Sequence, residues 1–82
     1  MTVIFSLQAK KQLDRLQAHQ ALKVTRQLRL LNSNPFIGKL LGGNLKDFRS
    51  LRAWPYRIVY RVDKQKKLVL IHTIEHRQGV YK

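Results

Sequence analysis

Apolar side chains occupy every second position from residue 56 to residue 62, and this is the clearest hydrophobic pattern in the chain. A period of two is typical of a β-strand with one buried face. Proline fixes φ near the value that a turn requires and has no N–H for a ladder, so the chain should reverse at Trp54-Pro55. The pattern predicts a β-hairpin over residues 49–63, in which Arg52 faces Arg57 and Ala53 faces Tyr56.

The first half of the chain shows a short strand followed by helical spacing. Residues 2–5 are β-branched or aromatic, which predicts a first strand, and the hydroxyl of Ser6 can cap the helix that follows. Apolar residues then recur three and four positions apart, which predicts amphipathic helices over residues 7–18 and 21–31. A turn at His19-Gln20 would separate the two helices and complete a helical hairpin.

The remaining segments predict a connector and a central strand. Residues 36–45 contain three glycines and alternating leucines, and we interpret them as a connector whose leucines fill the core. Residues 67–74 include an apolar run typical of a central strand covered on both faces, in which His72 should be a buried histidine with a hydrogen-bond partner. The predicted fold is one α+β domain over residues 1–82. It consists of an N-terminal strand and a helical hairpin packed on a small, mainly antiparallel sheet, whose other face stays open as a shallow basic cleft.

Charge is the strongest feature of the composition. Seventeen Lys and Arg against four Asp and Glu give a net charge of +13, which predicts a polyanionic partner: nucleic acid, the ribosome, an acidic protein or an anionic membrane. Cysteine is absent, so disulfides and cysteine chemistry are excluded. No run approaches the ~20 apolar residues of a membrane span, and the N-terminus lacks a signal-peptide pattern, so we expect a cytoplasmic protein.

Three arginines, Arg52, Arg57 and Arg61, fall on one face of the predicted hairpin. Two cations about 5.5 Å apart repel by roughly 3 kcal/mol at an effective dielectric of about 20, before splaying and water screening reduce the cost. A small domain has a total stability of only about 5–15 kcal/mol. The arrangement therefore predicts that an anion binds on this face.

The available residues favour metal-independent cleavage of RNA. The four carboxylates are spread along the chain and no nucleophile motif is present, so metal-dependent phosphoryl transfer, glycosidase and acyl-transfer chemistry are disfavoured, and no metal or cofactor is expected. In RNA the ribose 2′-OH supplies the nucleophile, and arginines can stabilise the charged phosphorane. Proton transfer would fall to Tyr81 or His76, while Trp54 could stack on a base or cap the turn.

Two motifs give the chain a resemblance to the RelE/ParE superfamily of bacterial and archaeal toxins. One is RSLRAWPYRIVYRVD at residues 49–63, preceded by the connector GKLLGGNL, and the other is HRQGVY at residues 76–81. The resemblance covers nearly the whole chain and implies a RelE-like, microbial ribonuclease-type fold. It also implies one of two activities. RelE-like members cut mRNA in the ribosomal A site by 2′-OH attack, whereas ParE-like members poison DNA gyrase and lack the catalytic set.

The resemblance also implies the residues of the site. Arg57 matches an arginine that contacts the scissile phosphate, Arg77 a tail arginine, and Tyr81 a tail tyrosine implicated in proton transfer or stacking. Phe48 and Ser50 replace a lysine pair that some RelE toxins carry, which leaves the acid and base roles open. The residues that could compensate are Arg49, Arg52, Lys46 and Lys39. The expected catalytic residues are Arg57, Arg77 and Tyr81, with Arg49, Arg52, Arg61, Lys46 and His76 as RNA- or phosphate-binding residues.

The first hypothesis for function is therefore a type II toxin that acts as a ribosome-dependent endoribonuclease on mRNA. Its other partner would be a cognate RelB-like antitoxin, acidic or partly disordered, and it would meet operator DNA only through the antitoxin complex. One alternative is a ParE-like gyrase inhibitor, which would not need Arg77 and Tyr81. Another is a non-catalytic RNA-binding or ribosome-associated protein.

Overall fold

The computed structural model describes residues 1–77, and within them a five-stranded sheet carries two α-helices. In chain order the elements are β1 (Thr2–Phe5), α1 (Leu7–Asp14), α2 (Ala18–Ser33), β2 (Lys39–Leu40), a 3-10 turn (Gly43–Leu45), β3 (Phe48–Ala53), β4 (Tyr56–Asp63) and β5 (Leu68–His76). The strand order is β1-β5-β4-β3-β2, with β1 parallel to β5 and the other neighbours antiparallel. The predicted α+β fold is confirmed.

Ser6 joins β1 to α1. Its Oγ accepts a hydrogen bond from the N–H of Ala9 at 2.9 Å, which confirms the predicted N-cap, and donates to the carbonyl of His72 at 2.7 Å. Its own N–H donates to the carbonyl of Ile71 at 2.9 Å. These bonds attach the start of α1 to β5, the strand against which α1 packs.

The break between α1 and α2 falls at residues 15–17, so the predicted turn at His19-Gln20 is wrong, and both of those residues are helical. The chain tightens at Leu16, whose N–H donates to the carbonyl of Leu13 three residues back. Gln17 is then extended, with φ −66° and ψ 157°. Leu16 packs against the core, so the position of the turn follows from burial rather than from local polarity.

The two helices cover one face of the sheet, and the core lies between the helices and that face. Because successive strand residues point to opposite faces, the neighbours of the core residues point away from the helices, to what we term the open face. The register confirms the predicted set on this face, which is Phe48, Ser50, Arg52, Arg57, Val59 and Arg61. The core itself consists of Ala9, Val24, Leu28, Leu31, Ala53, Ile58, Tyr60, Val69, Ile71 and Ile74.

The connector between α2 and β3 does not fill the core with leucines, and that prediction is wrong. Leu40 is 55% exposed and Leu45 is 39% exposed. Instead, part of the connector forms β2, an edge strand whose Lys39 pairs with Ser50 of β3. The connector therefore contributes to the sheet rather than to the core.

Hydrogen bonds to the side chain of Tyr60 hold this connector in place. Its buried hydroxyl accepts a hydrogen bond from the N–H of Gly38 at 2.8 Å and donates to the carbonyl of Pro35 at 2.9 Å. Arg49 donates to the carbonyls of Gly38 and Phe36, at 2.8 and 3.2 Å. A Cβ on Gly38 would lie 2.5 Å from the Tyr60 hydroxyl, so this close approach requires glycine. The position of β2 is thereby set by a core residue.

β5 is an interior strand, as predicted, since it lies between β1 and β4, but the helices cover only one of its faces, so the predicted coverage of both faces is wrong. It contains an irregularity, however: Val59 pairs with Thr73 and Tyr60 pairs with Ile71, which leaves His72 without a partner on β4. His72 is exposed, so its predicted burial is wrong. The bulge shifts the register of every β5 residue that follows it.

Candidate phosphate-binding site

Arg52 and Arg57 lie directly opposite each other at the end of the β3–β4 hairpin, as predicted. The chain reverses at Trp54-Pro55, whose peptide bond is cis, and Ala53 faces Tyr56. Since Ala53 belongs to the core, its neighbour Arg52 and the facing Arg57 point to the open face. The two arginines thus begin a basic site on that face.

Arg57 has a carboxylate partner that the sequence patterns did not indicate. Glu75 is its neighbour on β5, and Glu75 Oε1 accepts a hydrogen bond from Arg57 Nη2 at 2.9 Å. The side chain of Arg57 is only 23% exposed and that of Glu75 only 33%, so the pair is largely withdrawn from water. Arg57 Nε is buried with no hydrogen-bond partner within residues 1–77. Glu75 therefore supplies part of the negative charge that the facing arginines require.

A cavity of ≈ 360 Å³ opens beside the two arginines. Lys39 belongs to it because β2 places that residue opposite Ser50, on the strand next to Arg52. The lining consists of Lys39, Leu41, Ser50, Arg52 and Arg57, three of which are cationic and none acidic. Arginine forks can grip phosphate oxygens bidentately, and lysine adds a point charge, so the cavity suits a phosphate group.

The structure does not bring Arg61, Arg49 and Lys46 to this cavity. Arg61 lies at the far end of the hairpin and lines a separate cavity with Asp47 and Asp63. Arg49 points to the helix side, where its guanidinium bonds the connector carbonyls. Lys46 is exposed at the end of the 3-10 turn. Of the predicted phosphate-binding arginines, only Arg52 joins Arg57.

The end of β5 meets the hairpin turn. The backbone N–H of Arg77 donates to the carbonyl of Pro55 at 2.8 Å, and its guanidinium lies 4.7 Å from the centre of the Trp54 ring. The His76 ring packs edge-on against Tyr56, with centroids 5.2 Å apart. Trp54 remains 50% exposed. Arg77 and His76 are therefore at the same end of the sheet as the basic cavity.

Proton-transfer groups are few in the described part of the chain. Burial raises the pKa of the Tyr60 hydroxyl, although the Gly38 hydrogen bond and the charge of Arg49 each lower it. The Tyr60 hydroxyl thus stays protonated at neutral pH, and its hydrogen bonds hold the connector in place. Tyr81, predicted to be catalytic, lies outside the described residues. Residues 1–77 contain no group of three or more His, Asp or Glu placed to hold a metal ion.

Sequence reasoning missed Glu75 and named Lys39 only as one of four possible substitutes. Extending the pairing of Tyr60 with Ile71 without a bulge would place Ile74, not Glu75, opposite Arg57. The available signal is the composition: with four acidic residues against seventeen Lys and Arg, each carboxylate has many possible cationic partners. The bulge itself has no clear sequence mark.

Solved structures of toxins share this fold. A chain of the RelBE2 toxin–antitoxin complex from Mycobacterium tuberculosis matches with a TM-score of 0.84 and 31% identity, over 93% of this chain and 96% of that chain. The intact E. coli RelBE complex matches with a TM-score of 0.78 and 25% identity, over 92% and 94%. The YoeB/ParE toxin from Agrobacterium tumefaciens matches in fold, with a TM-score of 0.82 and 21% identity over 93% and 98%. The architecture is that of the RelE/YoeB/ParE toxins.

The family assignment follows from the sequence match. The model of the family described as the ParE toxin of the type II toxin–antitoxin system parDE matches residues 3–81, so the chain belongs to this family. It is a type II toxin, and the predicted resemblance to the RelE/ParE superfamily is confirmed. A comparison with curated proteins found no match. Within residues 1–77, neither helix has the length and apolar character needed to cross a membrane.

Proposed function

We propose that this toxin is a ribosome-dependent, metal-independent endoribonuclease that cleaves mRNA in the A site and so inhibits translation. The observation that carries the proposal is the open-face cavity in which Lys39, Arg52 and Arg57 converge. A phosphodiester has the charge and the oxygen geometry that this set of donors fits. A gyrase inhibitor without nuclease activity performs no step on a phosphodiester and so does not require these three cations in one cavity.

Arg57 would contact the scissile phosphate and stabilise the negative charge that develops on the phosphorane. Arg52 and Lys39 would hold the neighbouring phosphate oxygens, because they line the same cavity. Arg77, which lies against the hairpin turn, would add positive charge from the tail side. Tyr81 stays the proposed tail residue for proton transfer or stacking.

The proposed partners are the ribosome, its mRNA and a cognate antitoxin. The M. tuberculosis and E. coli relatives were solved as toxin–antitoxin complexes, which supports a RelB-like partner for this chain. With a net charge of +13, the toxin would attract an acidic or partly disordered antitoxin segment. Operator DNA would be contacted only through that complex, and the toxin would act in the cytoplasm.

The second candidate is ParE-like inhibition of DNA gyrase without nuclease activity. The description of the matched family favours it. Under this function the basic cavity would be an interaction surface, and replacing Arg57 or Tyr81 would not remove a chemical step.

Induced expression separates the two candidates. The toxin should halt protein synthesis and leave new 5′ ends within translated mRNA. Arg57→Ala should lower cleavage about 10²–10³-fold, the usual loss when one charge-stabilising donor is removed. Arg29→Ala is the matched control, since Arg29 is an exposed arginine of α2 and should leave cleavage unchanged. Intact mRNA together with trapped gyrase–DNA breaks would overturn the proposal in favour of gyrase inhibition.

A further inference from the structure

Cleavage by 2′-OH attack requires a group that accepts the hydroxyl proton. Glu75 is the carboxylate that lies next to Arg57, the residue proposed to contact the scissile phosphate. Its Oε1 is 2.9 Å from Arg57 Nη2, on the open face. The chain has three other acidic residues. Asp14 ends α1, and Asp47 and Asp63 line the separate cavity at Arg61. Glu75 is therefore the carboxylate that the fold brings to Arg57.

His76, the histidine predicted for proton transfer, points the other way. It pairs with Tyr56, which packs against the core on the helix side, whereas its neighbour Glu75 pairs with Arg57. Since successive strand residues alternate between faces, His76 and Arg57 are on opposite faces of the sheet. A proton acceptor for a phosphate held by Arg57 must come from the open face.

Arg57 donates one hydrogen bond to Glu75, and within residues 1–77 this leaves other N–H donors of its guanidinium available. A guanidinium has five N–H donors; the ion pair uses one of them, at Nη2, and the Nε donor is buried, which leaves three at Nη1 and Nη2. A phosphate in the cavity and the carboxylate would then both be ligands of one guanidinium, and so lie next to each other. The 2′-hydroxyl of the same nucleotide can bridge this gap, donating to Glu75 Oε2 while its oxygen faces phosphorus.

We propose that Glu75 is the general base of the cleavage reaction, an inference that rests on the proposed nuclease function. The 2′-O–H bond breaks and its proton passes to the Glu75 carboxylate, while the 2′-oxygen bonds to phosphorus. The P–O5′ bond breaks, and the 5′-oxygen takes a proton from solvent. The products are a 2′,3′-cyclic phosphate and a 5′-hydroxyl end, and Glu75 returns its proton to water.

Glu75→Gln separates this role from simple charge neutralisation. The amide keeps the size of the side chain and an oxygen that can accept from Arg57, but it cannot take up a proton at neutral pH. Loss of the negative charge should leave RNA binding as tight as before, or tighter, because Arg57 is then less neutralised. Loss of the base should lower the cleavage rate about 10²–10⁴-fold. A residue that only neutralises the charge of Arg57 would not produce this split.

The experiment uses the full chain on ribosomes programmed with a defined mRNA, under single-turnover conditions. Binding is measured separately with the same mRNA carrying a 2′-O-methyl group at the cleavage position, which blocks the reaction. Asp47→Asn is the matched control, because it removes one negative charge from an exposed residue outside the basic cavity. We expect Asp47→Asn to bind and cleave as the wild type does, and Glu75→Gln to bind but cleave slowly. Glu75→Asp should recover part of the rate.

The outcomes distinguish the two proposals. If the wild type cleaves and Glu75→Gln cleaves equally fast or faster, Glu75 is not the base, while the nuclease function stands. If Glu75→Gln loses binding and cleavage to the same degree, Glu75 only positions Arg57, and the inference is again overturned. If the wild type does not cleave programmed mRNA, both proposals are overturned.

Discussion

Replacing Tyr60 with phenylalanine should loosen the connector and lower the stability of the whole domain. Tyr60 is fully buried, and its hydroxyl makes two hydrogen bonds, at 2.8 Å from the N–H of Gly38 and at 2.9 Å to the carbonyl of Pro35. Phenylalanine fills nearly the same volume, so the change removes those two bonds and little else. The buried Gly38 N–H would then lose its partner, and such a group costs about 1–3 kcal/mol.

The expected loss in the free energy of unfolding is about 2–3 kcal/mol, the sum of that penalty and a modest term for the Pro35 bond. For a domain of 60–100 residues, about 1 kcal/mol shifts Tm by roughly 4–8 °C, so Tm should fall by about 10–20 °C. Urea unfolding followed by circular dichroism measures the free energy directly. Tyr56→Phe is the control, since it removes a hydroxyl from a half-buried tyrosine of the same strand.

A change below about 0.5 kcal/mol for Tyr60→Phe would refute this reasoning, because it would place the Gly38 N–H in contact with water. An equal loss for Tyr56→Phe would refute it as well, since the effect would then belong to any hydroxyl on β4. The urea dependence should keep its slope, as the buried surface hardly changes.

Two further predictions concern the same connector. Burial raises the pKa of Tyr60 above that of a tyrosine in the unfolded chain, about 10, so the unfolded state loses this proton first. The stability that Tyr60 contributes is therefore complete below about pH 10 and falls as the pH rises further. The urea-unfolding difference between wild type and Tyr60→Phe should shrink from pH 9 to pH 11, and a constant difference would contradict this. Lys39→Met should weaken binding of 2′-O-methyl RNA several-fold by removing one cation from the cavity, whereas Lys64→Met, far from that cavity, should not. Equal losses in the two variants would show that only net charge matters.

The pairing of Arg52 with Arg57 shows what strand alternation can predict and what it cannot. Alternation and a two-residue turn depend only on neighbours in sequence, so the pairing of Arg52 with Arg57 could be predicted and is observed. The repulsion between them was the reason to expect an anion. Part of that anion is Glu75, which belongs to the chain itself. The register that brings Glu75 to Arg57 depends on a bulge on β5, which no alternation pattern reveals.

The helical segment illustrates the opposite error. Apolar spacing correctly indicated two helices, but it placed the break at His19-Gln20, whereas the chain turns at residues 15–17. Both segments have good helix formers, so local propensity does not decide between the two positions. The packing of Leu16 against the core does.

Local sequence was sufficient for the fold class, the hairpin and its turn, the N-cap at Ser6 and the strong positive charge. Each of these depends on spacing or composition that a short window of residues contains. The tertiary structure decided which cations share a cavity. Arg49, predicted to bind phosphate, instead donates hydrogen bonds to the connector carbonyls. Lys39 lies beside Arg52 because β2 pairs with β3. These placements rest on contacts between residues well separated in sequence, chiefly Tyr60 with Gly38 and Lys39 with Ser50, and such contacts form only when the strands are in register.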